Sequence, residues 1–304
     1  MEERKSEYLD WSNAFEILEK AHERGIFVLV IGPKGTGKTT LVREFAKRQS
    51  VKLASINFSL RTRESHLVGS KSLSEGNIQF DEGILIKSMK LESINFSLRT
   101  RESHLVGSKS LSDGNIEFNE GILIKSMKEG NMLYLDEINA AEADVLLRLD
   151  EALDDRRQVV LKESGGEIIT ANKSWFVIAT INPLNHVGTK ELPPQLLSRF
   201  PIRLRMDYPP EEKEIEIVKK HVPQVDDKLL EKGIKLANTL RQAASVEELY
   251  YSPSLRETIA YAKLIDGDMS PKKAAEIVFG NVYAQWGNIE LQKVNDIITS
   301  MYEI

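Results

Sequence analysis

The sequence predicts an α/β fold: a parallel sheet sandwiched by helices and followed by a small all-helical domain. Short apolar runs alternate with segments of helical period as far as residue 208, the pattern of a sheet covered on both faces. A glycine-rich loop follows the first of those runs. Beyond Tyr208-Pro209-Pro210 only helical periodicity remains. Residues 1–208 therefore read as the α/β domain and 209–304 as the helical one, with the two prolines as the hinge.

Residues 8–23 carry Leu9, Phe15, Leu18 and Ala21 at helical spacing and read as an entry helix. Phe27-Val28-Leu29-Val30-Ile31 is short, apolar and rich in β-branched residues before Gly32, as a buried parallel strand should be. Residues 39–49 read as a helix and 51–58 as a second strand. Met132-Leu133-Tyr134-Leu135 is a third buried strand running into Asp136, and a helix is predicted over 140–153. Gln158–Leu161 and Glu167–Thr170, joined across Gly165-Gly166, form a predicted hairpin. Residues 175–180 make a further strand, closing at Asn182-Pro183. The helical domain breaks at Pro223, Ser252-Pro253, Gly267 and Gly287.

An internal repeat interrupts this order. Residues 52–89 recur as 90–127 with differences only at Ala54/Glu92, Glu75/Asp113, Gln79/Glu117 and Asp81/Asn119. Two copies are too few for a solenoid, and such near-identity suggests either a recent tandem duplication or an artificially introduced copy.

Composition bounds the chemistry. The 304 residues contain no cysteine, which excludes disulfides, thiolate metal sites and cysteine nucleophiles. A net charge of −5 and a pI near 5.7, with no Lys/Arg block interleaved with aromatics, weigh against nucleic acid as the primary ligand. No apolar run is long enough to span a bilayer. Met1-Glu2-Glu3-Arg4-Lys5 leads into polar sequence rather than an export signal, so a cytoplasmic protein is expected.

Gly32-Pro33-Lys34-Gly35-Thr36-Gly37-Lys38-Thr39, followed by Thr40, fits the phosphate-binding pattern G-x-x-x-x-G-K-[ST] between a strand and a helix. Glycines let the backbone curl so that its N–H groups face phosphate, and the helix N-terminus adds partial positive charge. Lys38 is placed to reach the β- and γ-phosphates of ATP, and the Thr39 hydroxyl to coordinate Mg²⁺. Asp136 and Glu137 follow a buried strand: the first can hold the magnesium shell, the second can polarise a water for attack on the γ-phosphate. Asn182 ends another strand, where an amide beside Asp136 can orient that water, although Asn-Pro is also a plain turn signal. Arg199, in Leu196-Leu197-Ser198-Arg199-Phe200, either completes a neighbouring subunit's site or forms a surface ion pair. Arg256 opens a helix of the second domain and either reaches bound nucleotide or is solvated. His22, His66, His104, His186 and His221 show no ligand spacing and read as structural.

Taken in order, the phosphate loop, Leu133-Tyr134-Leu135-Asp136-Glu137-Ile138-Asn139, the hairpin, Ile178-Ala179-Thr180-Ile181-Asn182-Pro183, Leu196–Phe200 and Asp207-Tyr208-Pro209-Pro210 resemble the AAA+ ATPases of the MoxR group over nearly the whole chain. His66-Leu67-Val68-Gly69 and Asp207-Tyr208-Pro209-Pro210 look closest to the branch that includes CbbQ, NorQ and the gas-vesicle GvpN proteins. The resemblance implies a P-loop AAA+ domain with a helical lid, assembled into a homo-oligomeric ring, commonly a hexamer. It makes Lys38 and Thr39 the Walker A residues, Asp136 and Glu137 Walker B, Asn182 sensor 1, Arg199 the arginine finger and Arg256 sensor 2. It also implies ATP hydrolysis to ADP and phosphate, chaperone-like remodelling or activation of a protein client, and a partner with a von Willebrand factor A domain.

Two features depart from the family. Lys34 stands where proline is usual, and the segment between the second strand and Walker B occurs twice. One strand and one helix should fill the core slots, leaving the surplus copy as an excursion near the ring pore or as a silent insertion. Two other functions compete: a nucleic-acid motor, disfavoured by charge, and a nucleotide-dependent scaffold with weak hydrolysis, disfavoured by the presence of Glu137, Asn182 and Arg199.

Overall fold

The computed structural model describes residues 8–58, 70–74, 77–81, 93–96, 106–112, 115–141, 143–161, 166–183 and 190–303. His66, His104, His186 and the His66–Gly69 stretch lie outside the described residues. Contacts divide the chain into two compact units: Asn13–Gly32 with Lys38–Met206, and Met1–Ser12 with Pro33–Gly37 and Asp207–Ile304.

The larger unit contains, in chain order, α1 (Ala14–Glu23), β1 (Val28–Ile31), α2 (Lys38–Arg48), β2 (Leu53–Phe58), β3 (Ser70–Ser74), β4 (Asn77–Asp81), β5 (Ser93–Phe96), β6 (Gly107–Ser112), β7 (Asn115–Glu120), α3 (Ile122–Glu129), β8 (Met132–Asp136), α4 (Ala143–Ala152), β9 (Gln158–Leu161), β10 (Glu167–Thr170), β11 (Phe176–Ile181), α5 (Pro194–Ser198) and β12 (Ile202–Arg205). Its main sheet has the order β12-β1-β11-β8-β2-β5, and every neighbouring pair is parallel. Val28, Leu29, Val30, Leu133, Leu135, Val177 and Ile178 are fully buried, as are Leu18, Leu41, Phe45 and Leu123 on the helices. Each such side chain contributes on the order of 1.5–3 kcal/mol on burial. Trp175, buried beside the sheet, keeps its indole N–H satisfied by donating to Ser126 Oγ at 3.2 Å.

Several boundaries differ from the sequence expectation. The entry helix begins at Ala14 rather than residue 8, because Asn13 adopts a left-handed conformation (φ 56°) that a continuing helix forbids. The helix expected over 140–153 is split into a 3₁₀ turn, Ile138–Ala140, and α4; the extended backbone of Ala141 separates them. Strand β12 was not expected from the sequence. Its Ile-Arg-Leu-Arg alternation leaves Arg203 and Arg205 exposed and Leu204 buried, the pattern of an edge strand kept from further pairing by charge.

The repeat is the main correction. Both copies supply a strand to the main sheet. Copy one's β2 lies beside β8, and copy two's β5 extends the edge in register, with Ser55, Ile56, Asn57 and Phe58 opposite Ser93, Ile94, Asn95 and Phe96. Each copy also folds a hairpin with the same pairing, Ser70 opposite Asp81 in the first and Ser108 opposite Asn119 in the second. The expectation that a single strand could enter the sheet fails because an open parallel sheet can grow at its edge. Copy two supplies α3, whose Leu123, Ile124 and Met127 are fully buried.

The smaller unit carries α6 (Glu211–His221), α7 (Asp227–Ser245), α8 (Leu255–Asp266), α9 (Pro271–Ala275) and α10 (Asn288–Tyr302). A π-turn over Glu276–Gly280 and a 3₁₀ turn over Asn281–Trp286 lie between α9 and α10. Leu230, Ile234, Leu240, Tyr261, Phe279 and Val294 form the centre of its core. Asp226 caps α7 by accepting from Leu229 N at 2.9 Å, and Ser254 with Glu257 forms a capping box on α8. Arg241 donates to both Glu214 carboxylate oxygens at 2.6 and 2.9 Å and to Pro253 O at 2.8 Å. This buried pair has its hydrogen bonds met and holds the segment that leads into α8.

Candidate functional site

The C-terminal ends of β8 and β11 meet the start of α2 in one polar cluster. Lys38 is buried, and its Nζ donates to Gly32 O at 2.8 Å and to Asn182 Oδ1 at 3.0 Å. Thr39 Oγ1 donates to Asp136 Oδ2 at 3.2 Å. The other carboxylate oxygen of Asp136 accepts from Tyr134 OH and from Thr180 Oγ1, each at 2.7 Å. Two strands and the start of α2 thereby fix one carboxylate from three hydroxyls. Burial, with the Asp136 charge adding, pushes the Tyr134 phenol well above its ordinary value, so it stays protonated and donates.

Strand register explains the assembly. Leu135 lies opposite Ala179, which places Thr180 level with Asp136 and Asn182 two residues further along. Thr180 therefore occupies the place the sequence suggested for Asn182, and Asn182 reaches Lys38 instead. Glu137 takes a left-handed conformation (φ 57°) at the turn after β8. Its N–H donates to Thr180 Oγ1 at 2.9 Å. Asn139, in the same turn, donates from Nδ2 to Asn182 O at 2.9 Å.

Lys38, Thr39, Asp136 and Asn182 are thus brought together, with Glu137 in the adjoining turn. Arg199 is not bonded to them. It caps α5 and donates from Nε to Asp150 Oδ1 on α4 at 3.0 Å, and that carboxylate raises its pKa. Thr40 sits half-buried in the first turn of α2. Tyr134, Thr180 and Asn139 were missed from sequence, although two of them carried a signal. Tyr134 lies two residues before Asp136 on β8, hence on the same face, and Thr180 lies two residues before Asn182 at the end of β11.

In the smaller unit, Gly35 and Gly37 of the phosphate loop have φ of +74° and +90°, a region open to glycine. A Cβ on Gly35 would sit 2.3 Å from Ser254 Cβ, so no side chain fits there. Thr36 Oγ1 donates to Pro33 O at 3.0 Å, and Tyr208 OH donates to Lys34 O at 3.3 Å. Arg256 is at the start of α8, its N–H donating to Ser254 Oγ at 3.2 Å.

These residues suit a magnesium nucleotide. Thr39 Oγ1 beside Asp136 offers the hard oxygen ligands that Mg²⁺ takes together with phosphate oxygens and water. Among the described residues, no group of three or more His, Cys, Asp or Glu is placed to hold a metal by itself. His22 is packed edge-on against Phe45 and Phe176, a structural setting that depresses its pKa by burial. No helix of the described residues is long and apolar enough to cross a membrane.

The family model for the AAA domain, dynein-related subfamily, matches residues 27–96 and again 89–200. The first match ends on β5 and the second restarts just before it, so the doubled match follows the repeat. Among curated proteins, the chain is 27% identical to the denitrification regulatory protein NirQ of Stutzerimonas stutzeri, over 88% of this chain and 82% of that one. It is 26% identical to NirQ of Pseudomonas aeruginosa over 86% and 85%. It is 30% identical to an uncharacterized protein of Staphylococcus aureus over 70% and 68%. With a phosphate loop after β1, a parallel sheet in this strand order and a family model matched across most of 27–200, the chain belongs to the AAA domain family, dynein-related subfamily, in the MoxR group of AAA+ proteins.

Proposed function

We propose that this chain hydrolyses ATP to ADP and phosphate and uses the cycle to remodel or activate a protein client, in chaperone-like fashion. The observation that carries the reading is the pair of hydrogen bonds joining the start of α2 to the two strand ends, Lys38 to Asn182 and Thr39 to Asp136. Gly32 through Thr40 bind the phosphates, with Lys38 neutralising charge on the β- and γ-oxygens as it develops. Thr39 and Asp136 would hold Mg²⁺, which when bound would supply further neutralisation of that charge. Asn182 orients the water, and Glu137 accepts its proton as the oxygen attacks the γ-phosphorus and the bond to the β-phosphate oxygen breaks.

Arg199 serves a neighbouring subunit in a homo-oligomeric ring, of six copies by family analogy, and leaves Asp150 to do so. Arg256 contacts nucleotide from the helical domain, 209–304, which acts as the lid. Location in the cytoplasm rests on the sequence expectation, and a von Willebrand factor A domain partner enters from the resemblance alone. Two relatives named as regulatory proteins fit a role in controlling another system.

The test is turnover and binding in parallel. Glu137→Gln should bind ATP within about twofold of the unaltered protein and lose about a hundredfold or more in kcat. Lys38→Ala should lose binding itself. Glu137→Gln turning over at the original rate would remove Glu137 as the base.

A further inference from the structure

The turn after β8 is tied to β11 at two points, and one tie ends in an unusual group. Glu137 N–H is held by Thr180, and two residues later Asn139 Nδ2 is held by the Asn182 carbonyl. Asn139 is 2% exposed. Its backbone carbonyl accepts from Lys190 N at 2.9 Å, yet its side-chain Oδ1 has no donor among the described residues. A buried amide normally meets both ends of its side chain. A carbonyl oxygen left over beside a polar site therefore points to a ligand or a water that supplies the proton.

The geometry points to Asn139 as a positioning residue of the proposed ATPase, with two separable parts. Its Nδ2 fixes the end of β11, and with it the Asn182 amide that Lys38 contacts. Its Oδ1 accepts a hydrogen bond from a water molecule of the site. The turn closes on itself through Ala140 N–H to Glu137 O at 2.9 Å and Ala141 N–H to Ile138 O at 3.1 Å. The two ties to β11 dock that turn against the strand end, and only the second also reaches the residue touching Lys38. The proposal rests on the ATPase reading and goes beyond the Walker and sensor positions.

Two variants separate the parts. Asn139→Asp keeps acceptors and loses the donor to Asn182; Asn139→Leu is of similar size and loses both. In steady-state ATP turnover, the aspartate variant should lower kcat about tenfold, and the leucine variant about tenfold more, with KM and nucleotide affinity within about twofold of the unaltered protein. A structural role alone would lower the folded fraction and leave kcat per folded, nucleotide-bound molecule unchanged, so active molecules are counted by bound nucleotide. Equal kcat for both variants and the unaltered protein overturns the proposal, as does a loss of affinity matching the loss of turnover. A difference between the two variants of less than twofold removes the Oδ1 part alone. Absence of turnover in the unaltered protein would instead sink the ATPase reading, and the Asn139 assignment with it.

Discussion

The two copies of the repeat are nearly the same peptide, and the fold uses them differently. Copy one gives the strand beside β8, whereas copy two gives the edge strand and the helix that feeds β8. The reason can be read from one residue. Glu92 is the equivalent of Ala54 one period earlier and of Gly130 one period later. Ala54 is 5% exposed and lies opposite Leu133, a slot for a small apolar side chain. Gly130 ends α3 with φ +71°, and a Cβ there would lie 2.2 Å from Ser174 Oγ and 3.0 Å from Asn172 Cγ. Glutamate suits neither slot. The strand place therefore goes to copy one and the helix exit to copy two, and the small difference between the copies teaches which environments are selective.

The strongest way to break this comparison is to remove one copy at a time. Deleting 90–127 joins Met89 to Lys128, keeps Ala54 and Gly130, and should leave melting temperature and ATP binding close to the unaltered protein. Deleting 52–89 joins Val51 to Lys90 and puts Glu92 in the Ala54 slot. A carboxylate buried there without a partner costs about 3 kcal/mol, or roughly 6–12 °C in a domain of this size. Adding Glu92→Ala to that deletion should recover most of the loss. Equal melting temperatures for the two deletions would show that the Ala54 slot does not discriminate.

How much of this was legible in advance follows from where the signal lies. The Gly32–Thr39 motif, the apolar strand ending in Asp136 and the 3.6-residue period of the helical part are local patterns, and the sheet and helices appear where they point. Strand β12 offered only Ile202 and Leu204 between arginines, too little apolar sequence to mark a strand. Tyr134, Thr180 and Asn139 were hidden for a different reason. Their importance comes from register between strands distant in sequence, which sets Thr180 level with Asp136. The placement of the repeat was illegible because the sequence shows two equal candidates, and the choice depends on the burial at Ala54 and the backbone at Gly130.

A narrower cut tests the helix exit. Gly130→Glu puts at the exit of α3 the residue that its sequence equivalent one period earlier, Glu92, carries. The left-handed backbone alone costs about 1–2 kcal/mol for a residue with a Cβ. Ser174 must also move, and its hydroxyl donates to Gly130 O at 3.1 Å. A total near 2 kcal/mol, read as a fall of about 4–8 °C in melting temperature, is expected. A change of less than a degree would mean that the turn relaxes and that only the strand slot selects.

The smallest effect is the most informative. Glu92→Ala in the full chain leaves the Ala54 and Gly130 slots as they are, so stability should stay within about 0.5 kcal/mol. What changes is the alternative, in which copy two's strand moves beside β8 and copy one is looped out. That arrangement closes a loop about forty residues long where about four suffice, at an entropic cost of about 2 kcal/mol. The alternative should then be populated at a few per cent, an amount visible by saturation-transfer NMR at the Leu133 methyl groups. In the unaltered chain the added cost of burying Glu92 should push it below detection. If Glu92→Ala shows no minor state either, loop length rather than Glu92 holds the copies in place, and the deletion of 52–89 should then be nearly as stable as its counterpart.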